Sequence, residues 1–469
     1  MKSKLKQQNA ITLVALIITI IVLLILAMVS IALVMNSGII TKSKTAVDKY
    51  SQEEIQEQIK LAYSEWQMGQ YTGETRTVQA FMQEKLNSIY GAGTVTSVTA
   101  ENGILTVELA NGKSYTYNVA TGVAAKVKTV AEYTDATPGQ ANTTENTKYT
   151  SNGKTAVIPA GYTLDATANS IDNGLVISKA GNEWVWIQVA NVTDLYTENT
   201  TEIPWTMYGT SGENSVVSRY ASKSGILSGQ TRTTPGTTTD PYYREPDTLG
   251  DLPIYLGGGA TDQAEANYTA AGFSSFNDMA TKLRDDYKNM LDSVRKYGGF
   301  YVGRYELSEA GTKKDQPSLT NTNWYNLYAK CKTFGDESTT YSRMIWGCQW
   351  DQVCKFINTS GDKVSLTDSR TYGNYSNSQA PANTENYESG KKKNTGSNEA
   401  WKANNIYDLA GNCQEWTQEA SYAYSRASRG GGYNHYGNGR PVAYRDGGNV
   451  GPTNTNDDFL SSRPVLYIK

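Results

Sequence analysis

The chain has 469 residues, a formal net charge of -3, one histidine and four cysteines. That length accommodates two or three domains, and so small a charge gives no sign of a nucleic-acid binder or of a strongly acidic partner, so no nucleic-acid partner is expected. A single histidine excludes a histidine-rich metal centre, and cysteines at 331, 348, 354 and 413 leave no C-x-x-C pair for a zinc ribbon or a thioredoxin-type site. Tyrosine is abundant (33) and phenylalanine scarce (7). This suits an extracellular recognition surface, where tyrosine offers contact area at low entropic cost, and equally an ordinary β-rich chain.

Residues 1–9 form a basic leader carrying Lys2, Lys4 and Lys6, and residues 10–34 are an unbroken apolar run. A run of that length spans a bilayer as a helix, and the lysines ahead of it predict the N-terminus inside and the C-terminus outside. The expected location is therefore a bacterial cell surface, with the chain anchored in the cytoplasmic membrane. The stretch from Lys6 to Ala15 resembles a prepilin-type leader, with cleavage implied after Ala10. Ala15 stands where pilins carry the glutamate that pairs with a neighbouring subunit.

Ile55, Ile59, Ala62 and Trp66 continue the helix as an apolar stripe that Gly69 and Gly73 end. A second helix bears Val78, Phe81, Met82 and Leu86. Strands follow at 94–99, 104–109 and 114–119, separated by Asn102-Gly103 and Asn111-Gly112 turns. Residues 35–120 thus read as helix continuation and a small pilin-like head, with pilin-like neighbours as candidate partners. Residues 121–154 are poor in apolar periodicity and read as a linker.

The large domain is expected over 155–469. Strands are predicted at 175–177 and 183–189, with Trp184 and Trp186 on one face. Residues 191–271 read as a surface insertion. A helix is predicted over 276–297, a strand over 299–306, and helices bearing Trp324, Leu327, Tyr328 and Cys331, then Val353, Phe356 and Ile357. Residues 360–398 read as polar loop.

The most informative stretch is Ile406–Trp416, IYDLAGNCQEW, in which apolar residues bracket an Ala-Gly-Asn turn. Arg429-Gly430-Gly431-Gly432-Tyr433 follows, and Arg463 closes the pattern. With Phe300–Glu306, Asn323-Trp324 and the Trp350 segment, these motifs occur in an order that resembles the formylglycine-generating-enzyme/sulfatase-modifying-factor superfamily over 155–469. The resemblance implies a C-type-lectin-like fold. The expected fold class is α+β: an N-terminal transmembrane pilin-like helix, a small antiparallel sheet, then a large loop-rich C-type-lectin-like domain.

The family's oxidases bind copper through a cysteine pair after the glycine turn. The window from Gly431 to Arg445 has no cysteine, and His435 cannot supply an iron branch's several histidines. No copper or iron is expected, and the chain reads as no enzyme. The resemblance also implies a structural Ca²⁺ held by the Asp408 and Glu415 side chains and the Gly411 and Cys413 carbonyls. Hard oxygen ligands suit that ion.

Tyr433, Asn434, His435, Tyr436, Asn438, Tyr444, Asp446, Asn449, Asn454, Asn456 and Asp457 crowd the last stretch. Such groups stack and hydrogen-bond adaptably. Relatives diversified by retroelements carry their variable residues in this window. The expected function is a membrane-anchored adhesin or receptor that binds an extracellular protein or glycan. A minor pilin and a metal-dependent oxidase are the alternatives.

Overall fold

The computed structural model describes residues 52–101, 103–195, 264–380, 390–422, 425–446 and 451–469. The chain divides into two compact units, Met1–Thr129 and Val130–Lys469.

In the first unit, helices α1 (Gln52–Thr72) and α2 (Val78–Tyr90) precede strands β1 (Val95–Glu101), β2 (Ile104–Leu109), β3 (Ser114–Asn118) and β4 (Val123–Val127). The strands form an antiparallel sheet in sequence order, with a turn at the expected Asn111-Gly112 site between β2 and β3. Thr77 caps α2 by accepting the Ala80 N–H, and Gly91 ends the helix at φ 104°. Asn87 then clamps the start of β1, accepting the Val95 N–H at 2.7 Å and donating to its carbonyl at 3.1 Å. Ile55, Ile59, Ala62, Met82 and Leu86 pack with Leu105, Val107 and Tyr115 in one core.

Among the described residues no helix is long and apolar enough to cross a membrane. This corrects the expected transmembrane pilin-like helix and the membrane-anchored location built upon it. Of the expected helix only the continuation is described, as α1, and it carries Glu53, Glu54, Glu57, Lys60 and Glu65, each a charge that costs about 3 kcal/mol at a bilayer centre. Residues 1–9 and 10–34, the expected leader and span, lie outside the described residues.

The stretch expected as a linker is structured. β4 completes the first sheet, Val130–Glu132 forms a 3-10 turn, and β5 (Thr147–Ser151) pairs with β6 (Lys154–Ile158). These strands are rich in Thr, Lys and Ala, so pairing with neighbours rather than an apolar run defines them.

The second unit is built on a six-stranded antiparallel sheet ordered β11-β18-β10-β9-β8-β7. Its strands are β7 (Thr163–Leu164), β8 (Val176–Lys179), β9 (Asn182–Gln188), β10 (Gly299–Gly303), β11 (Thr340–Met344) and β18 (Pro464–Ile468). Between them run α3 (Glu265–Ala270), α4 (Phe276–Tyr297), α5 (Trp324–Cys331) and α6 (Gly347–Thr359). Of the expected insertion, residues 196–263 lie outside the described residues.

α4 keeps its predicted limits because Ser275 accepts the Asp278 N–H at its start and Gly298 takes φ 80° at its end. Asn323 caps α5 in the same way, through the Asn326 N–H. Side chains alternate across the sheet. Val185, Ile187, Phe300 and Val302 face the helices, while Trp184, Trp186, Tyr301 and Leu466 form a second core with Tyr162 and Ile158. β10 is buried throughout. Gly299 is required there, because a Cβ would lie 2.4 Å from the Ile187 carbonyl oxygen.

Beyond α6 come β12 (Lys402–Ala403) and β13 (Ile406–Tyr407), then β14 (Gln414–Tyr422), β15 (Ser425–Arg429), β16 (Arg445–Asp446) and β17 (Leu460–Ser462). The last four form a sheet ordered β16-β15-β14-β17, in which β17 runs parallel to β14.

Candidate functional site

The turn between β13 and β14 needs an unusual backbone. Asp408, Gly411 and Asn412 take φ of 53°, 80° and 52°, a region that Gly and Asn or Asp tolerate best. At Gly411 a Cβ would lie 2.2 Å from the Asn374 carbonyl oxygen. The turn is thereby wedged against the 374 loop. Asn412 donates to the Glu306 carboxylate at 2.5 Å and accepts from Asn374 at 3.0 Å.

Three carboxylates converge beneath this turn, and all are buried: Glu306, Asp408 and Glu415. Arg463, also fully buried, answers them. Its Nε lies 3.1 and 3.0 Å from the two Glu415 oxygens, and its Nη2 lies 2.6 Å from Oε1. The same guanidinium donates to the Gly303 and Tyr407 carbonyls at 2.9 and 2.8 Å. Asp408 Oδ2 accepts from Gly396 N–H at 2.7 Å and from the Thr395 hydroxyl at 3.0 Å, while its Oδ1 is buried without a hydrogen-bond partner. Glu306 accepts the Cys413 N–H at 2.8 Å and the Ser318 hydroxyl.

Burial dominates the titration of all three acids. It pushes Asp408 up to about 6 and Glu415 up to about 7, the latter against the pull of Arg463. Glu306 is held well above the usual carboxylate range by burial, then by the nearby Asp408 and Glu415 charges.

The expected calcium set does not fit an oxygen cage. Ca²⁺ takes six to eight oxygens, yet both Glu415 oxygens are turned to a guanidinium. Among the described residues no group of three or more His, Cys, Asp or Glu could hold a metal ion. The turn is braced by an arginine, and its third acid, Glu306, was unreadable from local sequence because it lies far upstream.

The glycine turn carries the brace to the surface. Gly430 and Gly431 take φ of 87° and 68°, and a Cβ on Gly431 would lie 2.2 Å from the Arg440 carbonyl oxygen. Tyr433 N–H donates to the Asn412 carbonyl at 2.8 Å, so the buried turn fixes the start of the face. The Tyr433 hydroxyl donates to Asp458 at 2.9 Å. Burial, then that carboxylate, pushes the phenol up to about 12. His435 Nδ1 accepts the Gly432 N–H at 2.9 Å, its carbonyl accepts from Ser376, and its ring meets Phe459 edge-on at 5.7 Å.

Two of the predicted segments are thus brought together, 433–438 and 454–459. Asn434, Tyr436 and Asn438 are exposed on the first, with Tyr436 66% accessible. Asn438 accepts from Asn377 at 3.0 Å, and Asn377 in turn accepts the Gly437 N–H at 2.8 Å. On the second segment, Asn454 accepts the Asn456 N–H and donates to Asp457, each at 2.8 Å.

Tyr444 is a correction. It is 3% exposed beneath the Arg440 guanidinium, 5.0 Å from its ring, and lies under the face. Asp446 serves β16, opposite Ser428, and Asn449 lies outside the described residues. Asn377, Asp458 and Phe459 belong to the face and were missed. Asp458 was signalled only by its place next to Asp457. All four cysteines are buried, and burial raises the Cys331, Cys354 and Cys413 thiols, which suits small apolar fillers.

No known family's sequence pattern matches the chain, and no curated protein matches it. Among solved structures, the chain has a slight likeness to Treponema denticola variable protein 1, at 14% identity and a TM-score of 0.26, covering 36% of this chain and 85% of that one.

Proposed function

We infer that the Val130–Lys469 unit is a non-catalytic binding module whose ligand, a protein or glycan, is held by the face that joins 433–438 to 454–458. The observation that carries this reading is Tyr436. It is a large aromatic side chain, 66% exposed, on a backbone pinned from below by Gly431, Asn412 and Asn377. Aromatic anchors on rigid backbones dominate recognition because little entropy is lost when they are covered. Asn434 and Asn438 flank it with amides that both donate and accept. The motif order from Phe300 to Arg463 supports a C-type-lectin-like domain, and the finer reading is a receptor of the diversified kind.

The test is a screen of the full chain against glycan and surface-protein arrays, repeated with Tyr436→Ala. A ligand is expected whose binding is lost in the variant at an unchanged melting temperature. A folded protein that binds nothing on either array would sink the reading, as would a ligand indifferent to Tyr436.

A further inference from the structure

A second site lies at the other end of the unit's sequence. Residues 134–137, 140–143 and 147 line a cleft of about 330 Å³, within the range of small-molecule sites. Its walls are fixed by backbone hydrogen bonds. Ala136 N–H donates to the Lys148 carbonyl at 2.7 Å, and Lys148 N–H donates to Thr134 at 2.9 Å. Gly139 N–H reaches Leu164, and Gly161 N–H reaches Asn142, each at 2.7 Å. The Asn142 side chain accepts the Thr144 and Glu145 N–H groups at 3.0 and 3.2 Å. Pro138 stiffens the bend further.

The side chains that these pins present are of one chemical kind. Thr134, Thr137 and Thr143 offer hydroxyls, Gln140 an amide and Asp135 a carboxylate. All five are exposed, and among the described residues none of these side chains has a hydrogen-bond partner in the chain. No cation and no aromatic ring lines the cleft. A rigid wall of hydroxyl, amide and carboxylate groups suits a ligand that both donates and accepts many hydrogen bonds. The missing cation and the Asp135 charge disfavour an anion.

We propose that this cleft binds a neutral polyhydroxylated ligand of monosaccharide size, with Asp135 and Thr143 accepting and donating to its hydroxyls. The site is independent of the Tyr436 face. Because the walls are already held, binding orders little chain.

Saturation-transfer NMR on the full chain tests it, with the methyl glycosides of glucose, galactose and mannose and with methyl glucuronide as the charged comparison. At least one neutral glycoside is expected to give a saturable signal, and the glucuronide none. Asp135→Ala and Thr143→Val are each expected to weaken that binding about fivefold or more, the loss of roughly one hydrogen bond, while Tyr436→Ala leaves it unchanged. Both substituted residues are exposed, and circular dichroism checks that each variant is folded. The proposal is overturned by no saturable signal from any neutral glycoside, by equal binding of the glucuronide, or by binding that survives both cleft variants.

Discussion

Tyr433 donates its hydroxyl to the Asp458 carboxylate across 2.9 Å, closing a loop whose two ends are 25 residues apart in sequence. That one bond, with the His435–Phe459 ring contact beside it, makes a single surface of two segments. Tyr433→Phe keeps the ring and removes the bond. It should cost about 1 kcal/mol and speed amide exchange at 433–438 and 454–459, with exchange in the first unit unchanged. Unchanged exchange in both segments would mean that the bond does not hold them together.

Arg463 should be the most damaging single polar loss in the second unit. Arg463→Met leaves Glu415 buried without its partner, as a stranded charge or as an acid that must take up a proton, and breaking such a pair costs about 3–5 kcal/mol. Adding Glu415→Leu removes the stranded charge and should recover most of that loss in urea unfolding. A double variant as unstable as the single one would mean that packing, not charge, is what Arg463 supplies.

The same geometry predicts indifference to calcium. Melting temperatures in excess calcium and in chelator should coincide, since the Glu415 oxygens already face a guanidinium. A rise with calcium that Asp408→Ala abolishes would restore the metal reading.

Stability should fall as pH rises from 5 to 7. Asp408 titrates near 6 when folded and near 3.9 in a free chain. The folded state therefore binds its proton more tightly. The stability it contributes is complete below about pH 4 and is lost as pH climbs through about 6, with ~3 kcal/mol at stake at most. Glu306 and Glu415 are raised as well and act in the same direction. Asp336 and Glu399 are held near 2, so their opposite contributions change only under more acid conditions. Asp408→Asn should flatten the slope, and asparagine accepts the φ of 53° at that position. Melting curves at pH 5, 6 and 7 check this, and an unchanged slope in the variant would reject it.

Gly411→Ala should cost more than the 1–2 kcal/mol or so of the left-handed backbone alone, because its Cβ would meet the Asn374 carbonyl oxygen at 2.2 Å. A loss of about 2–4 kcal/mol in chemical unfolding is expected. Near-neutral behaviour would mean that the 374 loop yields.

Local signals were legible where one short stretch held the whole reason. Ser275 and Gly298 bound α4 to the residue, and Asn111-Gly112 marks the β2–β3 hairpin of the first sheet. Residues 121–154 misled because β4 and β5 have little apolar pattern of their own and are defined by their partners. The calcium expectation likewise rested on Asp408 and Glu415 read together, whereas the fold pairs Glu415 with Arg463, 48 positions away. Tyr444 looked like surface because its neighbours are polar, and only the Arg440 side chain lying over it reveals that it is covered. Transmembrane character was read from residues 10–34, which the described helices neither include nor resemble.

The strand order of the large sheet has a consequence for biosynthesis. β18, the last strand, lies between β10 and β11 and pairs with both. Until Pro464–Ile468 has emerged from the ribosome, β10 and β11 each expose an edge with no partner, and the Arg463 brace is missing. The second unit therefore reaches its native state only after translation has passed this strand, with unpaired edges in the meantime that invite chaperones or aggregation.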